Sequence, residues 1–101
     1  MNKREYVKHI KSIFTKCLKI VEAKNSDYAN ADDAFHNFKT SKIIGVNPDR
    51  AILVRIMDKI TRISNLLDRK AVVSDEKIED TIMDAINYLA ILKTYLKDKS
   101  N

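Results

Sequence analysis

Two sets of polar residues recur at helical spacing in the second half of the sequence. Arg55, Asp58, Arg62, Asn65 and Arg69 follow one another at intervals of three and four, with Lys59 beside them; Glu76, Asp80, Asp84 and Asn87 do the same, with Glu79 adjacent. Residues so spaced share one side of a helix. Like charges at i and i+4 repel by roughly 0.2–0.5 kcal/mol per pair, so local helix stability gives no reason for Glu76, Asp80 and Asp84 to stack. Three readings are open. The acidic stripe is a solvated face, or it pairs with Arg55, Lys59 and Arg62, or it holds a divalent cation such as magnesium. That ion takes oxygen ligands and often uses one or two carboxylates plus phosphate oxygens. The arginines would then hold the remaining phosphate charge, Arg being suited to bidentate phosphate contacts. On a helical wheel the stripe lies nearly opposite the main apolar face, which favours solvent exposure unless another helix or subunit covers it.

Other chemistries have little local support. His9 and His36 are isolated, with no His-Glu-x-x-His spacing, and a single glycine cannot form a phosphate-binding loop. One cysteine excludes an internal disulfide framework and a Cys-based zinc cluster. Cys17 falls inside an apolar stripe, which suits a small core residue better than a nucleophile. Gly45-Val46-Asn47-Pro48 between two helices has the form of a helix-turn-helix, but Asp49 and Asp58 would face the same DNA backbone. Asp27, Tyr28, Asn37 and Phe38 admit two readings, capping with core packing or a loop closing over a base or sugar.

The elements that must position these residues are all helical. Tyr6, Ile10, Ile13, Phe14, Cys17 and Val21 form one apolar stripe, and Lys24-Asn25-Ser26-Asp27-Tyr28-Ala29-Asn30 interrupts it. A short second helix is expected from Ala31 or Asp32, carrying Phe35 and Phe38, with Asp32 and Asp33 in its first turn and Gly45 as its stop. Asn47 as cap and Pro48 at the first position start a third helix. Its stripe is Ile52, Leu53, Ile56, Met57, Ile60, Ile63 and Leu67. Ser74 caps a fourth, with Asp75 and Glu76 in its first turn and Ile78, Ile82, Ala85, Ile86, Leu89, Leu92 and Leu96 as its core face. Lys70-Ala71-Val72-Val73 joins the two long helices, and Lys97 to Asn101 should fray.

The expected fold is therefore all-α: a single helical domain over 1–101, a three- to four-helix bundle with a long antiparallel hairpin over 47–98 and a basic first helix over 1–24 packed across it. One Gly and one Pro argue against a turn-rich β-sandwich. No apolar run approaches a membrane span, and Met1 is followed by charged residues rather than a signal-peptide core, as expected of a soluble intracellular, cytoplasmic protein. The formal charge of +5 belongs wholly to residues 1–24, and the rest of the chain is neutral. That distribution argues against nucleic acid and membrane as partners and suits a solvated basic face.

The motifs in their order resemble the nucleotide modification associated domain 1 family, a small phage-type family. The resemblance runs from Lys24-Asn25-Ser26-Asp27-Tyr28 and Asp33-Ala34-Phe35-His36-Asn37-Phe38 through Gly45-Val46 and Leu53-Val54-Arg55-Ile56-Met57-Asp58-Lys59-Ile60-Thr61-Arg62. It ends with Asp75-Glu76-Lys77-Ile78-Glu79-Asp80-Thr81-Ile82-Met83-Asp84-Ala85-Ile86-Asn87-Tyr88, and so covers roughly residues 15 to 95. More distantly the arrangement is similar to MazG-like nucleotide pyrophosphohydrolases, all-α enzymes that hold magnesium between acidic residues of two adjacent helices. The resemblance implies metal ligation by Glu76, Glu79, Asp80 and Asp84, with Glu79, Asp80 and Asp84 as the catalytic set. It implies phosphate contacts by Lys59 and Arg62, to which Arg55 is added; in the nucleotide-binding reading Asp27, Tyr28 and Asn37 hold the nucleoside, and Asn87 is a further ligand-binding candidate. The MazG pattern has a Glu-x-x-Glu pair on the preceding helix, where this chain offers Asp58 and then Lys59 and Arg62. A depleted acidic set can bind a nucleotide without cleaving it.

Two functions from different classes follow. One is a nucleotide-binding helical protein in nucleotide metabolism or modification, with magnesium-dependent pyrophosphohydrolase activity if the acidic set suffices. The other is a non-catalytic phage-type protein that sequesters a nucleotide signal or inhibits a host protein in the host cytoplasm. A homo-oligomer is expected for a small bundle with this much aliphatic surface, although the sequence does not show which stripe is exposed.

Overall fold

The computed structural model describes residues 1–27, 33–68 and 78–100, the side chains of Ser26 and Asp27 excepted. Every described element is helical: α1 (Lys3–Asp27), the short α2 (His36–Lys39), a 3₁₀ segment (Thr40–Ile44), α3 (Pro48–Asp68) and α4 (Ile78–Ser100). The all-α expectation holds. The chain divides into two compact units, Met1–Asp32 and Asp33–Asn101. No described helix is long and apolar enough to cross a membrane.

In the first unit, the Asn2 side chain caps the start of α1. The Oδ1 of Asn2 accepts the Glu5 N–H at 2.9 Å and its Nδ2 donates to Glu5 Oε1 at 3.0 Å. The Asn-x-x-Glu spacing was legible at residues 2–5. The helix runs through Asp27, past the Lys24–Asn25–Ser26 stretch expected to end it. Polar residues of middling propensity are tolerated in a last turn once the helix is propagating. Cys17 is buried, as its stripe implied, while Tyr6, Val7, Phe14 and Leu18 are exposed.

The second unit opens on a turn built by Asp33. Its side chain accepts the Phe35 N–H at 3.0 Å and its carbonyl accepts the His36 N–H at 3.1 Å. The residue thus precedes α2 instead of sitting in its first turn, and the helix begins at His36; the expected start at Ala31 or Asp32 lies outside the described residues. The 3₁₀ segment closes on Gly45, whose φ of 80° is the left-handed conformation that favours glycine. Val46 N–H donates to Ser41 O and Gly45 N–H to Lys42 O, the paired bonds of a Schellman closure. Asn47 then accepts the Ala51 N–H at 3.0 Å and α3 begins at a fully buried Pro48, as the sequence indicated.

Helices α3 and α4 pack as an antiparallel pair. Ile52 and Ile56, near the start of α3, share a buried cluster with Tyr95, near the end of α4, whereas Lys59 further along α3 reaches back to Asp84. The seam is Ile52, Ile56, Lys59, Ile63 and Leu66 against Thr81, Ala85, Tyr88, Leu92 and Tyr95, all buried or half-buried. Both sets advance by four, three, four, three, the spacing of a packed helical seam. The register opposes Ile52 to Tyr95 and Lys59 to Tyr88.

That seam corrects the sequence reading. The stripe assigned to α4 is displaced by one residue, about 100° around the helix: Ile82, Leu89 and Leu96 are exposed, while Thr81, Tyr88 and Tyr95 turn inward. On α3, Leu53, Met57, Ile60 and Leu67 are likewise exposed beside the true seam. Tyr95 takes the inward place because Phe35 meets it edge-on, ring centroids 5.3 Å apart and planes at 75°, a favoured aromatic geometry. The acidic stripe is therefore adjacent to the packing face and not opposite it. The helical end is also longer than expected: α4 continues through Ser100, with Lys97 and Lys99 in a last turn whose dipole they complement. The expected connection Lys70–Val73, the Ser74 cap and Asp75 lie outside the described residues.

Candidate polar face

In an antiparallel pair, positions displaced in the same rotational sense from the seam come to the same side of the plane through the two helix axes. One residue before each seam position stand Arg55, Asp58, Arg62 and Asn65 on α3, and Asp80, Asp84, Asn87, Ile91 and Thr94 on α4. The two polar stripes read from the sequence therefore share one face of the hairpin. One residue after each seam position stand Leu53, Met57, Ile60, Ser64 and Leu67 on α3 and Ile82, Ile86, Leu89, Lys93 and Leu96 on α4, mostly exposed aliphatics, which share the other.

The stripes meet at a single described ion pair, Lys59 Nζ to Asp84 Oδ2 at 3.4 Å, with side chains 24% and 31% exposed. Asp84 needs a cation there because its carboxylate has lost much of its water, and Lys59 is the seam residue within reach. This is the internal ion-pair reading, realised at one position. Asp80 is exposed one turn before Asp84 on the same side; Arg55 and Arg62 are exposed on α3. Glu79 is also exposed but lies about 100° around α4 from Asp80, away from this face. Glu76 lies outside the described residues. Among the described residues, no group of three His, Cys, Asp or Glu side chains is placed to share a metal ion.

Aromatic and amide groups border the face at one end. Phe38 from α2 meets Tyr88 edge-on at 6.4 Å and 82°, and Asn87 is buried at 9% exposure. Phe35 and Phe38 pack on the hairpin against the cluster of Ile52, Ile56 and Tyr95, with Tyr88, Ile91 and Leu92 around it. Asn37 is exposed on α2. Asp27 ends α1, in the other unit, and Tyr28 lies outside the described residues. The hairpin thus collects Arg55, Lys59, Arg62, Asp80, Asp84 and Asn87 on one side. The signal missed in the sequence was Tyr88, one residue after Asn87, whose ring forms the seam beside the face.

Chemically, the face offers two guanidinium groups and an ammonium next to three carboxylates, Asp58, Asp80 and Asp84, with the half-buried Phe38 and Tyr88 rings beside them. Such a surface can bind a polyanion through Arg and Lys. Among the described residues these carboxylates are spread along the face and do not converge as a three-ligand cation cage. The chain matches no family model, no curated protein and no solved structure.

Proposed function

We propose that this chain is a nucleotide-binding helical protein whose polar hairpin face holds the phosphates. The resemblance to the nucleotide modification associated domain 1 family, and more distantly to MazG-like enzymes, motivates the ligand class. The observation that carries the reading is the convergence of Arg55, Lys59 and Arg62 with Asp80 and Asp84 on one face, joined by the half-buried Lys59–Asp84 pair. Arg55 and Arg62 would take phosphate oxygens in bidentate fashion. Lys59 would divide its hydrogen bonds between Asp84 and the ligand, since an ammonium has three donors. Asn87 and the Phe38–Tyr88 corner stand where the base or sugar would lie.

Magnesium enters this reading only with the nucleotide. Asp80 and Asp84 suit an ion already held by phosphate oxygens, which needs one or two protein carboxylates. The described residues do not build a resident metal site, so no hydrolytic step is assigned to them. Binding without turnover is accordingly favoured over pyrophosphate release, and a phage-type protein that sequesters a nucleotide fits that outcome.

The test is a nucleotide panel with and without magnesium, reading thermal stability and pyrophosphate release together. A ligand that binds the native state raises the melting temperature by mass action. Stabilisation by a nucleotide, reduced at least tenfold in affinity by Arg55→Ala with Arg62→Ala, supports the reading. Stabilisation by none of the panel overturns it, and magnesium-dependent pyrophosphate release that Asp84→Asn abolishes replaces it with the hydrolase.

A further inference from the structure

The opposite face of the hairpin is the larger anomaly. Leu53, Met57, Ile60 and Leu67 line up along α3 at spacings of four, three and seven, and Ile82, Leu89 and Leu96 at seven and seven along α4, the longer steps passing over Ser64, the half-buried Ile86 and the exposed Lys93. Met57 is 54% exposed and Leu89 51%. Single exposed aliphatics are ordinary, but two adjacent stripes at seam spacing are the pattern of a helix pair that packs again.

The charges at the ends of these helices indicate what packs there. Arg50 and Asp68 lie on the same outer flank of α3, eighteen residues or about five turns apart, and their midpoint is Lys59. Glu79 and Lys97 occupy the matching flank of α4, again eighteen residues apart, with their midpoint at Tyr88. Lys59 and Tyr88 face each other across the seam, so both pairs are centred at one level of the hairpin. Arg50 at the beginning of α3 and Asp68 at its end also carry the signs that the helix dipole disfavours. Local helix energetics therefore do not account for them.

We propose that this apolar face is a homodimer interface, formed about a two-fold axis that crosses the hairpin at the level of Lys59 and Tyr88. This axis lays α3 antiparallel on the α3 of a second copy, and α4 on its α4. Arg50 then comes beside Asp68 of the partner subunit and Glu79 beside Lys97 of the partner subunit, each pair occurring twice, around a centre made by Met57, Ile60 and Leu89. A two-fold axis parallel to the helices would bury the same aliphatics. It would, however, set Arg50 against Lys97 of the partner subunit and Asp68 against Glu79 of the partner subunit, like against like. Electrostatics thus selects one isologous dimer from the two that hydrophobic packing allows.

Sedimentation equilibrium of the full chain over a concentration series tests this. The wild type is expected to dimerise, and Met57→Glu, at an exposed position, to give a folded monomer with unchanged helical circular dichroism. Arg50→Glu alone and Asp68→Arg alone should each weaken association about tenfold, since each opposes like charges at two symmetry-related places. The double variant Arg50→Glu/Asp68→Arg should recover to within about threefold of wild type. A wild-type monomer at all concentrations overturns the proposal, whether the face is then covered by another part of the chain or by a different protein. So does a dimer whose charge reversals add instead of cancelling, because that dimer would use another axis or surface.

Discussion

The two faces of the α3–α4 hairpin are made by the same helices, one residue to either side of the same seam, yet they have opposite characters. On one side Arg55, Asp58, Arg62 and Asp80 lie around the Lys59–Asp84 pair, and the Phe38–Tyr88 contact borders them. On the other, aliphatic side chains stand bare. Two residues, a rotation of about 200° around each helix, separate a charged surface from an apolar one. The polar side is internally compensated, acid against base, and calls for a charged ligand. The apolar side calls for area.

If the seam is placed correctly, mutations in it should far outweigh mutations on either face. Ile52→Ala, at a fully buried position, should cost about 3–4 kcal/mol of unfolding free energy, the transfer of the lost methylenes plus the cavity left behind. Met57→Ala, five residues on, should change stability by no more than about 0.5 kcal/mol when measured where the chain is monomeric. Chemical denaturation with circular dichroism reads both. Equal losses would mean that the stripe through Met57 is buried and that the division into faces is wrong.

Which parts of this comparison the sequence disclosed follows from what periodicity can resolve. The helices α3 and α4 and the alignment of Arg55 with Arg62, and of Asp80 with Asp84, depend only on spacing along one chain, and they were legible. The seam was not. Helix α4 has apolar residues on two stripes one position apart, which share the region of Ala85 and Leu92, and hydropathy alone cannot choose between them. The choice is made by Phe35, sixty residues before Tyr95, through its edge-on contact with that ring. Likewise Lys59 reads as a border residue of a basic stripe until the antiparallel register brings Asp84 within 3.4 Å. Of the nucleoside set, Asn37 belongs to the hairpin unit, as does the ligand candidate Asn87, whereas Asp27 ends the helix of the other unit.

The next effects sharpen the polar side. Gly45 holds the Schellman closure that turns the chain from the 3₁₀ segment into α3, and no atom stands where a Cβ would project. Gly45→Ala should therefore cost only the left-handed backbone strain, about 1 kcal/mol, with no steric addition. A loss several times larger would show that the turn is more tightly packed than this. Lys59→Met should cost somewhat less, about 0.5–1 kcal/mol. The lysine stem's packing is kept while the partly exposed ion pair is lost, and Asp84 can recover some hydration. The double variant Lys59→Met/Asp84→Asn should be no worse than Lys59→Met alone. Full additivity of the two single losses would show that they do not interact in solution.

The smallest effect lies where α2 meets the hairpin. The Asp33 carboxylate accepts hydrogen bonds from the Lys39 ammonium and the Phe35 N–H. The first of these, then the second, hold its pKa below the ordinary 3.8, and the same carboxylate raises Lys39 above 10.5. The signs give a plateau with two edges. The Asp33 contribution is complete above the ordinary carboxylate range and is lost as pH falls through the depressed folded value. The Lys39 contribution is complete below 10.5 and is lost as pH rises through the raised folded value. Both groups are well hydrated, so the global stability change is slight and the site itself must be watched. Titration of the Asp33 carboxyl carbon by NMR should give a midpoint below 3.8. Lys39→Met should move it upward but not fully back, because the Phe35 N–H remains. A wild-type midpoint at or above 3.8 would mean that the Asp33 turn does not hold Lys39 in solution, and α2 would lose the contact that ties its last residue to the turn before it.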